Sequence, residues 1–320
     1  MNSYDDVDSM WAAMIDHLLM HPTHVEARVG SGAMSNELIG SRWVLKDIRR
    51  NFLTNESRAA DPAYASAELL WYLSRESSVE MLLPYAPSYK RFAEDDGRAH
   101  GAYGSRLATN IQAYRLASRS EDKESCDQLD YAVQRLRRDP NTRQLVITMW
   151  KAEDLITENK RDLPCTVCWQ FLVRENNLHM VTYMRSNDVW LGVPYDIYTF
   201  SCIQSMVADS LGLGYGTYTH VAGSLHMYEK NRDDCFNILE YGPLTPTPPH
   251  GWERCPVEDA WMAVEHEKCI RKQEPRPNRP AVHGCLLDSV MSCARKLGLP
   301  TDVRSPALTK GFQNVDARRS

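Results

Sequence analysis

Four groups of residues follow one another in fixed order through the middle of the chain. They are Leu163-Pro164-Cys165-Thr166, Tyr183-Met184-Arg185-Ser186-Asn187-Asp188, Leu191-Gly192-Val193-Pro194-Tyr195-Asp196 and Gly223-Ser224-Leu225-His226-Met227-Tyr228. Cys165 is a candidate nucleophile, because a thiolate attacks electron-poor carbon and nearby positive charge favours the thiolate. Arg185 supplies such charge, and its planar fork of donors suits a phosphate. Ser186 adds a hydroxyl donor. Asp196 either reads a ligand through its carboxyl or caps the helix that follows Pro194. The plain alternative for each residue is structural, since free cysteines are mostly core residues and single arginines mostly surface charges. Cys165-x-x-Cys168 has no second pair to complete a zinc set. No metal is therefore expected, and Cys168 reads as a core residue on a strand.

The elements that must position these groups are legible in outline. Strands are expected over 144–150, 167–173 and 178–184, the last two joined by a hairpin through Arg174-Glu175-Asn176-Asn177. A helix follows Pro194, with Ile203, Met206, Val207 and Leu211 on one face and its end near Gly212. Residues 217–221 read as another strand. Upstream, Asp8 or Ser9 caps a helix carrying Met10, Trp11, Met14, Ile15, Leu18 and Leu19, stopped by His21-Pro22. Arg28-Val29-Gly30-Ser31-Gly32 reads as a glycine-bearing loop. Residues 65–74 form a helix with Leu69, Leu70 and Leu73 on one side, which Glu68 enters. The stretch 84–105 reads as irregular, and 126–138 as a helix that stops before Asp139-Pro140-Asn141. Prolines and glycines over 242–251 mark a linker, helices are expected over 256–272 and 282–297, and the last twenty residues are polar. The organisation expected is a catalytic domain over 1–250 and a helical extension over 251–320 with a polar tail.

The order of cysteine, arginine-serine, carboxylate and His-x-Tyr resembles the thymidylate synthase family, whose members add one carbon to C5 of a pyrimidine nucleotide. The resemblance runs from about Arg28 to Tyr228 and implies an α/β (α+β) fold with a large mixed sheet flanked by helices. Thymidylate synthases carry Asn where this chain has Asp196. With Pro-Cys-Thr, Arg-Ser-Asn-Asp and Gly-Ser-Leu-His, the Asp looks like the deoxycytidylate 5-hydroxymethylase branch. The resemblance implies that Cys165 adds to C6, that Glu68 is an acid-base group, and that Tyr103 stands at the proton-abstraction site. It implies phosphate contacts from Arg28, Arg143, Arg185 and Ser186, nucleotide contacts from Asn187, and sugar contacts from His226 and Tyr228. Gln144 stands where the family has a second arginine. Asp188, Leu191 and Gly192 match folate positions, so 5,10-methylenetetrahydrofolate is the implied cosubstrate. The family's folate-site tryptophans are not evident, and Tyr85, Tyr89 and Phe92 are the residues at hand to replace them. A homodimer is implied, with Arg143 reaching across its interface.

Asp196 is expected to read the base. Cytosine presents an N3 acceptor and an N4 donor, which a carboxyl complements when protonated, whereas uracil suits an amide. The expected reaction is dCMP hydroxymethylation. Its alternatives are a CMP hydroxymethylase of nucleoside-antibiotic synthesis, a thymidylate synthase variant methylating dUMP, and a non-catalytic nucleotide-binding relative. The whole chain agrees with an enzyme acting on small molecules. Its 320 residues are 43% hydrophobic, enough for a sizeable core, and its net charge of −5 argues against a nucleic-acid-coating surface. No apolar run is long enough to span a bilayer. The acidic N-terminus argues against a secretory signal, and nine cysteines, an odd count, suit a reducing cytoplasm.

Overall fold

The computed structural model of the protein describes residues 3–27, 33–110, 125–241, 249, 253–274 and 282–299. Among these the strands are, in chain order, β1 Ser3–Tyr4, β2 His24–Ala27, β3 Met34–Leu45, β4 Ala108–Asn110, β5 Ser125–Asp127, β6 Val146–Thr148, β7 Thr166–Arg174, β8 Asn177–Met184, β9 Asn187–Asp188 and β10 Gly214–Tyr228. Two compact units divide the chain, one from 1–60, 134–151 and 165–251, the other from 61–133, 152–164 and 252–320.

The first unit is built on a mixed sheet in the order β1-β3-β10-β8-β7-β6, with β2 on β3 and β9 on β10. β10 runs parallel to β8 and antiparallel to β3. The expected hairpin joins β7 to β8, with Arg174 opposite Asn177 and positive φ at Glu175 and Asn176, the twist such a two-residue turn needs. Trp169, Phe171, Met180 and Tyr218 bury one face of the sheet. On the helix Val193–Leu211, Ile203, Met206 and Val207 are buried, and Gln204 Nε2 donates to the β-strand carbonyls of Leu178 and Gly216. The helix stops where expected, with Gly212 in the left-handed region at φ 68. The helix Val7–Met20 is capped by Asp6, whose side chain accepts from Ser9 N, rather than by Asp8 or Ser9. Asp8 is buried instead, accepting from Thr54 and Asn55.

The two longest strands departed from expectation as well. β3 gave no strand signal, and β10 extends past the expected 217–221 to Tyr228. Both strands change which side is buried. On β3, Asn36 and Leu38 are buried before Gly40, and Trp43 and Leu45 after it. On β10, Tyr218, His220 and Ala222 give way to Leu225 and Met227. The pairings Ala222 to Ser41 and Ser224 to Ile39 set Gly223 opposite Gly40, so the register holds while the buried parity flips. Gly40 has φ 67, a conformation that L side chains rarely adopt. A Cβ on Gly223 would lie 3.1 Å from both Arg185 O and Tyr183 Oη.

In the second unit Asp61 caps the helix Pro62–Leu73, accepting from Ala63 and Tyr64 N, so the helix starts earlier than the expected residue 65. It packs on the helices Ala260–Lys272 and Gly284–Lys296, both close to their expected ranges. The irregular 84–105 stretch contains the turn Pro87–Phe92 and leads into the short helix Tyr103–Leu107. A buried ion pair joins Arg106 to Asp154 at 2.6 and 2.8 Å. The Arg28–Gly32 loop, most of the expected linker and the polar tail lie outside the described residues. Among the described residues no helix is long and apolar enough to cross a membrane.

Nothing lies within 4 Å of a Cβ built on Gly40, so its substitution tests conformation alone. Gly40→Ala should lower stability by about 1–2 kcal/mol, read from urea midpoints. Gly40→Asn should cost less, because Asn tolerates the left-handed region better. An unchanged midpoint for the Ala variant would mean the strand does not bend there.

Candidate functional site

Cys165 precedes β7 and is half-buried. Its carbonyl accepts from Arg185 N at 2.8 Å, and Arg185 O accepts from Ser224 N at 3.2 Å. Backbone bonds thus set the thiol-bearing residue, the arginine and the Gly-Ser-Leu-His segment side by side. The approach is close, which is why position 223 is glycine. The ladder between β7 and β8 slips between Thr166 and Cys168, and the extra residue, Val167, accepts from Met149 and Trp150 N. Such bulges redirect neighbouring side chains. The guanidinium of Arg185 lies over the Trp150 ring, 5.6 Å from its centroid, a stack that holds the charge in place. Cys168 is a half-buried strand residue, and burial pushes its thiol pKa up.

Asp196 lies in the first turn of the helix Val193–Leu211, but the N-cap position belongs to Gly192. The Asp196 carboxylate accepts from Asn187 Nδ2 at 2.6 Å, so it does not cap its helix. Desolvation raises its pKa from 3.8 to about 7, with the Asn187 bond opposing the rise. Asn187 is buried, and its Oδ1 has no hydrogen-bond partner among the described residues. A Cβ on Gly192 would stand 3.2 Å from both Asn187 Nδ2 and Asp196 Oδ2, so glycine leaves that pair its room. Between them the chain turns on Asp188, whose Oδ1 accepts from Trp190 and Leu191 N at 2.8 and 3.2 Å. Leu191 is exposed. Arg58 donates to Trp190 O and lies over the rings of Trp190 and Tyr195.

His226 and Tyr228 lie near the end of β10, beyond the parity change, with ring centroids 5.0 Å apart. Val189 N donates to His226 O, and β9 pairs with β10 there, sewing the Arg185–Asp188 segment to the strand. Ser186 is half-buried between Arg185 and β9. Arg143 is exposed, just before β6, its carbonyl accepting from Gln170 Nε2 at 3.1 Å. Gln144 accepts from Arg135. Arg28 lies outside the described residues.

Two further expected residues belong to the second unit. Glu68 is buried on the helix Pro62–Leu73 and accepts from Tyr64 Oη at 2.9 Å, a contact the i,i+4 spacing could have revealed. Tyr103 is buried with its ring 5.1 Å from that of Tyr72. Gly104 admits this packing, since a Cβ there would meet Trp71 O at 2.8 Å. Tyr85 gives its hydroxyl to buried Glu267, whereas Tyr89 clusters with Trp71 and Phe92. Tyr85 is thereby withdrawn from the ligand-facing role expected of it.

These features define an α/β protein with a large mixed sheet and a cysteine beside a bulged strand end. The thymidylate synthase family model matches residues 9–250, and the chain belongs to that family. It is 29% identical to a thymidylate synthase of Symbiobacterium thermophilum over 214 residues, 64% of this chain and 72% of that one. The thermostable thymidylate synthase A from Bacillus subtilis shares its fold, with a TM-score of 0.60 at 21% identity over 73% of this chain and 83% of that one. Members of the family are one-carbon transferases acting on a nucleotide, with methylenetetrahydrofolate as cosubstrate.

The buried carboxyl of Asp196 makes stability depend on pH. Unfolded, it ionises near pH 4, so between about pH 4 and 7 the folded state keeps a proton the unfolded chain has released. Stability of the native protein relative to Asp196→Asn should therefore fall as pH rises through that window, by roughly 1–4 kcal/mol. Urea midpoints for both proteins between pH 5 and 7.5 measure it. A constant difference would show a solvated carboxyl.

Proposed function

We propose that the protein converts dCMP to 5-hydroxymethyl-dCMP, taking the one-carbon unit from 5,10-methylenetetrahydrofolate and the oxygen from water. The observation that carries this reading is the Asn187–Asp196 pair. A carboxyl whose pKa is raised to about 7 is protonated often enough to donate to cytosine N3 while its other oxygen accepts from N4. Asn187 Oδ1, a buried acceptor, suits the second N4 hydrogen. Uracil would leave these acceptors facing O4, at a cost of roughly 1–3 kcal/mol per unpaired group.

In this reading the Cys165 thiolate bonds to C6, the ring's electrons make C5 nucleophilic, and C5 takes up the one-carbon unit; C5 then gives up its proton as the carbon–nitrogen bond breaks and tetrahydrofolate departs, which leaves an exocyclic methylene. Water then adds to the exocyclic methylene, and loss of the C6–S bond frees the product. Glu68 and Tyr103 move protons at the base. Arg28, Arg143, Arg185 and Ser186 hold the phosphate, and His226 and Tyr228 the sugar. Asp188, Leu191 and Gly192 would hold the folate. The fit is reasonable, because Leu191 is an exposed apolar side chain on the turn that Asp188 holds. The enzyme is cytoplasmic in this reading, with residues 1–250 as its catalytic part and 251–320 as an extension.

Asp196→Asn should move preference from dCMP towards dUMP, seen as converging or crossing kcat/KM values. Product analysis with dCMP, CMP and dUMP side by side tests the whole reading. Stoichiometric dihydrofolate, or a methylated product, would overturn it in favour of a thymidylate synthase variant. Preference for CMP would assign a ribonucleotide enzyme.

A two-fold homodimer completes the reading. The sheet face away from the helix Val193–Leu211 leaves Val146 and Tyr183 44% and 41% exposed. Leu172, Val181 and Val221 are half-buried on strands in register with them. Arg143 is exposed beside β6 at this sheet's edge, which supports a role toward a second copy. Mixing Cys165→Ser with Arg143→Ala subunits should give hybrid dimers with one intact site, restoring about a quarter of native activity after full exchange. Exchange without any gain would confine Arg143 to its own subunit.

A further inference from the structure

The sheet register sets a polar row beside the His-x-Tyr segment. His24 of β2 pairs with Glu37 of β3, Glu37 with His226 of β10, and His226 with Asp188 of β9. The row lies past the parity change at Gly40 and Gly223, where Leu38 and Leu225 take the buried side. Glu37 is half-buried there. The Ser224 hydroxyl donates to Glu37 Oε1, so the carboxylate is fixed rather than swept through solvent. Among the described residues that is its side-chain bond, which leaves Oε2 for a further donor. Directly opposed residues of an antiparallel pair have Cβ atoms about 4.5–5.5 Å apart, within reach of a glutamate and an imidazole. Asp188, on the other flank, already accepts from Trp190 and Leu191 N. Glu37 is the carboxylate that stands directly opposite His226 on an antiparallel strand, whereas Asp188 lies in parallel register with it.

We infer that Glu37 is a positioning residue of the nucleotide site: held by Ser224, it orients the His226 imidazole across the β3–β10 pair. A ring N–H turned to Glu37 Oε2 leaves the other ring nitrogen as an acceptor for the sugar 3′-hydroxyl proton. Glu37 then acts through His226, on binding rather than on the bond-making steps. The inference rests on the proposed role of His226 and Tyr228 as sugar contacts. An ordinary cross-strand pair would stabilise the sheet alone, and the two roles separate by experiment.

The test compares native protein with Glu37→Gln, which keeps the shape and a partner for Ser224, and with Ser224→Ala. KM and kcat are measured with dCMP and with its 2′,3′-dideoxy analogue. With dCMP, Glu37→Gln should raise KM about tenfold and leave kcat within about twofold, the pattern of lost uniform binding. With the analogue, which lacks the 3′-hydroxyl, native and Glu37→Gln proteins should behave alike. Ser224→Ala should show the same pattern more weakly. Equal losses with both nucleotides, or no loss with dCMP, would overturn the inference. If the native protein takes dUMP instead, the proposed base choice fails, and the same comparison with dUMP and its 3′-deoxy analogue still decides Glu37. Failure of the native protein to bind any of these nucleotides would overturn both.

Discussion

Two glycines on neighbouring strands, Gly40 and Gly223, let a single sheet serve two purposes. Before the pair, β10 turns Tyr218, His220 and Ala222 inward; after it, Leu225 and Met227 are inside and His226 and Tyr228 are released from the core. The register on either side of the two glycines is the same, so the change costs no slip in the pairing. Gly223 also allows Arg185 O to approach, and Arg185 N in turn reaches Cys165 O. The placement of the thiol, the arginine and the His-x-Tyr pair therefore descends from one backbone constraint. A regular strand of this length would have carried His226 into the interior with His220.

The Asn187–Asp196 pair shows burial and hydrogen bonding in opposition. Removal from water favours the neutral carboxyl, and the Asn187 amide favours the charged one. Burial wins, but the amide keeps the balance near neutrality, where a group can exchange a proton without large cost. His220 offers a contrast in the same sheet. It is fully buried, bonded to Tyr218, and desolvation drops its pKa to about 4, so it stays neutral at ordinary pH.

Much of the scaffold was legible in the sequence because its pattern is regular. Trp169, Phe171 and Val173 alternate on β7, and Ile203, Met206 and Val207 keep helical spacing, so those elements stood where expected. β3 was hidden by its own geometry. A strand whose buried parity reverses has no net period of two, and Asn36 and Glu37 obscure it further. The motif order identified Cys165, Arg185, Asp196 and His226 as candidates, and the structure gathers them in one unit. It did not reveal that Asp196 leans on Asn187, since the turn at Asp188 brings the two together. Nor did it reveal Trp150 beneath Arg185, a contact between separate strand ends. Glu37, far upstream, became visible only through strand register.

The division of the chain has a consequence for how the molecule is made. The sheet unit is assembled from three separated stretches, 1–60, 134–151 and 165–251, and the second unit from 61–133, 152–164 and 252–320. β3 must wait for β10, and neither unit is complete until translation has passed residue 250. Closing such long loops before their pairing is gained slows folding and leaves the β10 side of β3 open in the nascent chain. No single cut releases either unit whole. A truncation meant to isolate the sheet would have to rejoin three separated stretches, and the protein has to be handled, engineered and permuted as one chain.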